Sequence, residues 1–264
     1  MTLRLRTAAL ASGLLLAGPA LAESPMLWHS NSLTYLYGQD FTIDAPIQQT
    51  FTFEHVSGWT AGDLFLFLDS IHYNGKGNDD GHDDSSFYGE LSPRLSLGKL
   101  TGTDIGVGPV KDVLLAATYE FGEGDVESYL IGPAVDLAVP GFDYLNLNLY
   151  RREADGDRDG DGVWQVTPVW AFTLPVGRSD LLIDGFMDWV VDNDDSYHAN
   201  LHFNPQIKYD LGKALNWGEK QLYVGIEYDY WKDKYGVDDD SFVGDEILGG
   251  TDQNTASLLV KAHF

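Results

Sequence analysis

The run Tyr197-His198-Ala199-Asn200-Leu201-His202-Phe203-Asn204-Pro205-Gln206-Ile207-Lys208-Tyr209-Asp210-Leu211 alternates apolar or aromatic residues with polar ones throughout. Side chains of a strand point to opposite faces with period 2, so the stretch reads as one strand with a greasy and a wet face. It is far longer than the about 5–6 residues usual in globular strands. A strand tilted across a bilayer needs roughly 9–11 residues in the hydrocarbon. The expectation is a membrane β-barrel with a polar interior.

The beginning of the chain agrees. Arg4 and Arg6 form a basic start, Ala8 to Ala17 an apolar run, and Ala20-Leu21-Ala22 a small-residue cleavage site. Residues 1–22 therefore read as a secretory signal peptide, with 23–264 as the mature domain. No continuous apolar segment reaches the roughly 20 residues a spanning helix needs. An exported chain that spans a membrane without helices does so as a closed barrel, which alone satisfies its backbone in lipid. With no cysteine, thiol catalysis and thiolate metal sites are excluded. A net charge of −25 argues against nucleic-acid polymers as partners, because phosphate binding relies on Lys and Arg.

Twelve strands are expected, at about 31–40, 47–57, 62–73, 86–98, 109–121, 126–139, 142–152, 163–174, 179–191, 197–210, 220–231 and 253–264. No helical period of useful length and no linker interrupts them, so the fold class is an all-β, twelve-stranded antiparallel transmembrane barrel of the outer-membrane type. Several strands repeat the two-faced pattern. Phe87, Leu91 and Leu95 oppose Tyr88, Glu90 and Arg94, and Leu145, Leu147 and Leu149 oppose Tyr144, Asn146, Asn148, Tyr150 and Arg152. Leu181, Ile183, Met187 and Trp189 likewise oppose Asp184, Phe186 and Asp188. The last strand sets Ala256, Leu258, Val260, Ala262 and Phe264 on one face. A terminal aromatic on such a strand resembles the signal read by bacterial barrel-assembly machinery. Trp164, Trp170, Trp189, Tyr197, Tyr209, Tyr228 and Tyr230 sit on greasy faces toward strand ends, as interfacial girdles do.

The connections 74–85, 153–162, 192–196 and 232–252 hold nearly half of the 41 acidic residues, and all fall on one side of the barrel. Long outer loops against short periplasmic turns are the barrel expectation. Asp155-Gly156-Asp157-Arg158-Asp159-Gly160-Asp161 mimics the start of a calcium loop, but position twelve is Val166 where a bidentate Glu is needed; a solvated acidic loop is the simpler reading. His198 and His202 lie on the polar face, about 13 Å apart on a strand, with no triad spacing around them. Pore lining is favoured over catalysis or metal binding. The carboxylates Asp184 and Asp188, and Glu227 and Asp229, read as luminal charge that sets selectivity. No catalytic residue, cofactor or resident metal is expected.

A more specific signal lies at Tyr88-Gly89-Glu90-Leu91-Ser92-Pro93-Arg94-Leu95-Ser96-Leu97-Gly98-Lys99-Leu100-Thr101-Gly102-Thr103-Asp104, followed by Gly108-Pro109-Val110-Lys111. The spacing E-x-x-PR-x-S-x-x-KLT-x-TD with a following GP-x-K resembles the Tsx-type nucleoside-specific outer-membrane channels. Similarity extends over residues 31–152, through Leu36-Tyr37-Gly38 and Gly132 to Pro140. The resemblance implies a monomeric twelve-stranded barrel in the bacterial outer membrane, surrounded by lipid and lipopolysaccharide, that passes nucleosides by facilitated diffusion. Strand parity offers Tyr88, Tyr144, Tyr150, Phe186, Tyr223 and Trp231 as stacking platforms. Glu90, Arg94, Asn146, Asn148, Arg152, Asp184, Asp188, His202, Asn204, Lys208 and Glu227 then provide the polar edge. The family's aromatic flank of GP-x-K is here Val110, Val113, Leu114 and Leu115, which leaves the permeant open. A general small-solute porin, an outer-membrane lipid hydrolase, and a receptor or adhesin carried on the acidic loops are the alternatives.

Overall fold

Apolar side chains lie outside this protein and polar ones inside. Leu258 is 67% exposed, and Leu33, Phe51, Leu95, Ile131, Trp189 and Val260 are exposed too, whereas Lys208 and Gln253 are each only 1% exposed. A soluble sandwich buries its large apolar groups; a barrel in lipid reverses the order.

The computed structural model describes residues 24–74, 84–124, 126–155, 162–193 and 197–264. The expected signal segment and the calcium-loop-like run beyond Asp155 lie outside the described residues. Among these, the strands are β1 (Met26–Gln39), β2 (Ile47–Trp59), β3 (Gly62–Tyr73), β4 (Ser85–Ser96), β5 (Val110–Gly122), β6 (Glu127–Leu137), β7 (Tyr144–Asp155), β8 (Val163–Val176), β9 (Ser179–Val190), β10 (Leu201–Asp210), β11 (Leu222–Lys232) and β12 (Gln253–His263). Each pairs antiparallel with its sequence neighbours, and β1 pairs with β12 from Ser32↔His263 to Gly38↔Ser257, so the barrel closes. Closure removes the unpaired edge that lipid would not tolerate.

One end carries the connections after β1, β3, β5, β7, β9 and β11. The other end is clipped by short helices that the strand pattern did not announce. In α1 (Leu97–Thr101), Ser96 caps the Lys99 N–H at 3.0 Å and donates to Asp112. Lys99 Nζ donates to the carbonyls of Trp59 and Gly62 at 3.1 and 3.0 Å, tying this helix to the β2–β3 turn. In α2 (Leu211–Ala214), Asp210 accepts from the backbone of Lys213 and Lys220 at 2.8 and 2.7 Å. Much of the Pro93–Lys111 motif is thus a structural knot at the turn end; Arg94 is the part that reaches the lumen.

Two expectations are corrected. Residues 197–199 leave the sheet: the β9–β10 ladder last closes between Val190 and Asn200, and Asn193 Oδ1 then takes the Ala199 N–H at 2.6 Å. The connection after β11 also contains a π-helical turn, Phe242–Leu248, capped by Ser241. Its loop is held by Asp239, whose carboxylate accepts from the Thr251 N–H at 2.5 Å; that bond first, then one from Asp252, holds its pKa below the ordinary value.

Prolines interrupt ladders where they must. The β10–β11 pairing skips from Phe203↔Tyr230 to Gln206↔Glu227 around Pro205, which has no N–H to give. Opposite it stands Gly185, where an added Cβ would meet the Asn204 carbonyl oxygen at 2.4 Å, backbone that has nowhere to go. Gly185→Ala is expected to destabilise the barrel by about 1–3 kcal/mol, read as a lower urea midpoint of the heat-modifiable, folded band in detergent.

Candidate functional site in the barrel lumen

Directly paired residues of antiparallel strands share a face, which lets the register assign the lumen. Tyr88, Glu90 and Arg94 of β4 point inward, as do Tyr144, Asn146, Asn148, Tyr150 and Arg152 of β7. Asp184, Phe186 and Asp188 of β9, His202, Asn204 and Lys208 of β10, and Tyr223, Glu227 and Trp231 of β11 join them. All the positions singled out by parity share this interior, though they fall into distinct clusters.

Toward the turn end the walls are ionic. Arg94 makes a two-pronged contact with Asp63, both distances 2.8 Å, and reaches Asp136 at 2.9 Å. Asn146, with its amide oriented to donate, adds a 3.0 Å bond to Asp136. Lys208 Nζ donates to Asp184 and Gln206, both at 2.7 Å. Lys261 pairs with Glu54, which also accepts from Ser32 at 2.6 Å. Tyr223 is buried among them, its ring edge-on to His263 at 5.8 Å. Tyr144, on the same inner face, is instead exposed.

Toward the loop end the wall mixes charge with flat rings. Arg152 forks onto Glu120 at 2.7 and 2.5 Å and also donates to Gln165 and Ser128. Tyr88 donates to Glu90 at 2.9 Å, and Gln165 and Thr167 donate to Asp188 at 2.9 and 2.5 Å. Asn148 is bound to the Thr167 carbonyl. Tyr150 lies against Leu114, Ala116, Leu130 and Ala134, a small buried apolar patch on the inner wall. His202 Nε2 donates to Asp229 Oδ1 at 3.1 Å, and the ring sits edge-on between Phe186 and Trp231, with ring centroids 5.2 and 4.3 Å away. The imidazole therefore faces the lumen and is boxed by rings, which is not the lipid-facing geometry an outer-membrane lipid hydrolase requires.

A second aromatic row was missed by the sequence reading. Phe65 pairs with Ser92 and Phe67 with Glu90, so both rings point inward, 5.9 Å apart and continuing to Tyr88 at 5.7 Å. Phe65 remains 37% exposed, to lumen rather than lipid. The clue lay in β3 itself: Phe65 and Phe67 share parity with Asp63 and Asp69, while the leucines between them take the lipid side.

Two connections fold over the loop-end mouth. Tyr197 lies 5.9 Å above the Arg152 guanidinium, a cation–π contact, so its ring is inside and not in a lipid girdle. An extended segment alternates as a strand does, and only the lost pairing reveals the difference. The His198 N–H donates to the Gly236 carbonyl at 2.7 Å. Lys234, buried beside Trp231 and Tyr235, donates to the Thr42 carbonyl, Asp44 and Gln253 at 3.0, 2.7 and 2.7 Å. Tyr235 also donates to Asp44 at 2.8 Å. The outer aromatics otherwise behave as expected, with Trp164 and Trp189 exposed and Trp170 stacked on Phe203 at 5.6 Å.

The model of the family described as "Nucleoside-specific channel-forming protein, Tsx" matches residues 27–262. Among curated relatives, the chain is 25% identical over 178 residues to "Outer membrane protein OmpK" of Vibrio parahaemolyticus, covering 66% of this chain and 65% of that one. It is 36% identical over 185 residues to "Nucleoside-specific channel-forming protein Tsx" of Salmonella typhimurium, covering 55% and 64%. The matched region thus spans about two thirds of these relatives' length. Among solved structures, "KdgM porin in complex with disordered oligogalacturonate" superposes with a TM-score of 0.49 at 11% identity, over 88% of this chain and 99% of that chain.

Arg94, Arg152, Lys208 and Lys261 are each matched by acids, and Asp69, Glu90, Asp188 and Glu227 are held by neutral donors besides. The lumen is therefore net acidic and is expected to prefer cations, read as the sign of the reversal potential across a KCl gradient. Arg94→Ala leaves Asp63 and Asp136 without their cation. It is expected to cost about 3 kcal/mol of stability and to push the reversal potential further toward cation selectivity.

Proposed function

The chain belongs to the Tsx family of nucleoside-specific channel-forming proteins, and from that premise we propose that it passes nucleosides, or closely related small polar aromatic solutes, across the bacterial outer membrane by facilitated diffusion. The observation that carries this reading is the pair of inward aromatic rows, Phe65–Phe67–Tyr88 and Phe186–His202–Trp231, set among charged and amide side chains. A nucleoside is a flat base joined to a hydroxyl-rich sugar. Ring faces accept any base by stacking. Asn146, Arg94, Lys208 and the luminal carboxylates are suited to the ribose hydroxyls. Because the acids dominate, a neutral nucleoside avoids the repulsion that a phosphate would meet.

The ion pairs support passage as well as binding. Each luminal cation is already engaged by a carboxylate, so a solute exchanges existing hydrogen bonds instead of filling an empty site. Binding then stays weak enough for release, as conduction requires. We read the protein as a monomer, each barrel being a complete pore. A general small-solute porin is the competing reading, and it lacks any use for the two aromatic rows.

In planar bilayers, millimolar adenosine or thymidine is expected to reduce the ion current through the wild-type channel, whereas ribose or glucose is not. Phe67→Ala and Trp231→Ala are each expected to raise the half-blocking concentration about tenfold, within the roughly 1–3 kcal/mol of one stacked base. Equal block by nucleosides and sugars would leave only the general porin.

A further inference from the structure

His198, Asp233 and Asp238 come together at the mouth although they lie on two different connections. One ligand atom from each falls within 4.8 Å of the others. His198 comes from the connection after β9, and both aspartates from the connection after β11. The His198 Nδ1 to Asp233 Oδ2 distance is 3.6 Å, too long for a hydrogen bond.

The carboxylates are prepared for such a role. Asp233 Oδ1 accepts from the Asp239 N–H at 3.0 Å, and Asp238 Oδ1 accepts from the Asp240 N–H at 3.1 Å. Each aspartate thereby has one oxygen fixed by its own loop and a second to offer elsewhere. An imidazole whose Nδ1–H donates to the Ala199 carbonyl, 3.0 Å away, keeps Nε2 as its ligand atom. Asp233 is buried while His198 is partly open, which gives an ion a route from solvent. One imidazole with two carboxylates suits zinc and other first-row divalent ions better than calcium or magnesium, which take oxygen ligands alone.

We propose that His198, Asp233 and Asp238 form a binding site for a divalent transition-metal ion that clips the connection after β9 to the connection after β11 across the loop-end mouth. The same two connections carry Tyr197, over Arg152, and Lys234 and Tyr235, beside Trp231. An ion at their junction holds these side chains over the entrance and narrows it. The site is independent of which solute the lumen carries.

The test uses the full mature protein, folded in detergent without a histidine tag. Isothermal titration with zinc chloride is expected to show one site per chain at micromolar concentration, undisturbed by a thousandfold excess of magnesium. His198→Ala and Asp238→Asn should each weaken binding at least tenfold while keeping the heat-modifiable mobility of a folded barrel. In planar bilayers, micromolar zinc should lower the wild-type current and leave that of His198→Ala unchanged. Wild-type zinc binding in both variants would overturn the proposal. So would displacement by magnesium, which marks a nonspecific acidic rim, or an equal fall in current with and without His198.

Discussion

Backbone hydrogen bonding in lipid is the constraint on which everything else rests. An unpaired N–H or C=O in hydrocarbon costs several kcal/mol, so β12 must find β1, and it does over seven register pairs. Once the sheet is closed, period-2 geometry leaves no choice about the rest. One side chain of each neighbouring pair meets lipid and the other meets the lumen. The exposed leucines and the buried lysine, glutamine and threonines of this protein follow from closure together with alternation.

The lumen then has its own difficulty, which is charge in a confined space. Desolvated ions are tolerated when matched and hydrogen-bonded, and the wall is built accordingly. Arg94 spans from β3 to β6 through Asp63 and Asp136, Arg152 ties β7 to β5 through Glu120, and Lys261 ties β12 to β2 through Glu54. These links brace strands that are not adjacent and draw the walls toward one another. Between them lie the aromatic rows, with Tyr88 bonded to Glu90 and His202 to Asp229. The result is a polar interior that also carries flat apolar surfaces, the combination on which the proposed passage of nucleosides rests.

How much of this was legible varied with the kind of evidence. Strands such as β4, β7 and β12 announced their faces because apolar and polar residues alternate along most of their length, and their luminal residues followed directly. β3 did not, since Leu64 to Leu68 is apolar on both faces; only the flanking aspartates mark which phenylalanines turn inward. Tyr197 was misassigned because an extended chain and a strand share one pattern, and hydrogen-bond partners are not written in it. The helices α1 and α2 are one turn each, too short to impose a 3.6 period. Their capping groups, Ser96 and Asp210, were visible only once Lys99 and Lys213 were seen to bond to them.

Sequence alone determined the closed twelve-strand barrel, its inside-out polarity, the lumen-facing identity of residues such as Arg94, Arg152 and His202, and, through the stretch from Pro93 to Lys111, the family. These are local or periodic properties, readable wherever a strand keeps its alternation. Only tertiary structure decided which acid each luminal cation meets, that Phe65 and Phe67 extend the row to Tyr88, and that His198 lies beside Asp233 and Asp238 rather than working with His202. Those arrangements join residues far apart in the chain, Lys261 and Glu54 at the extreme, across strands and loops whose separation is set by barrel closure, and no single strand's pattern contains that distance.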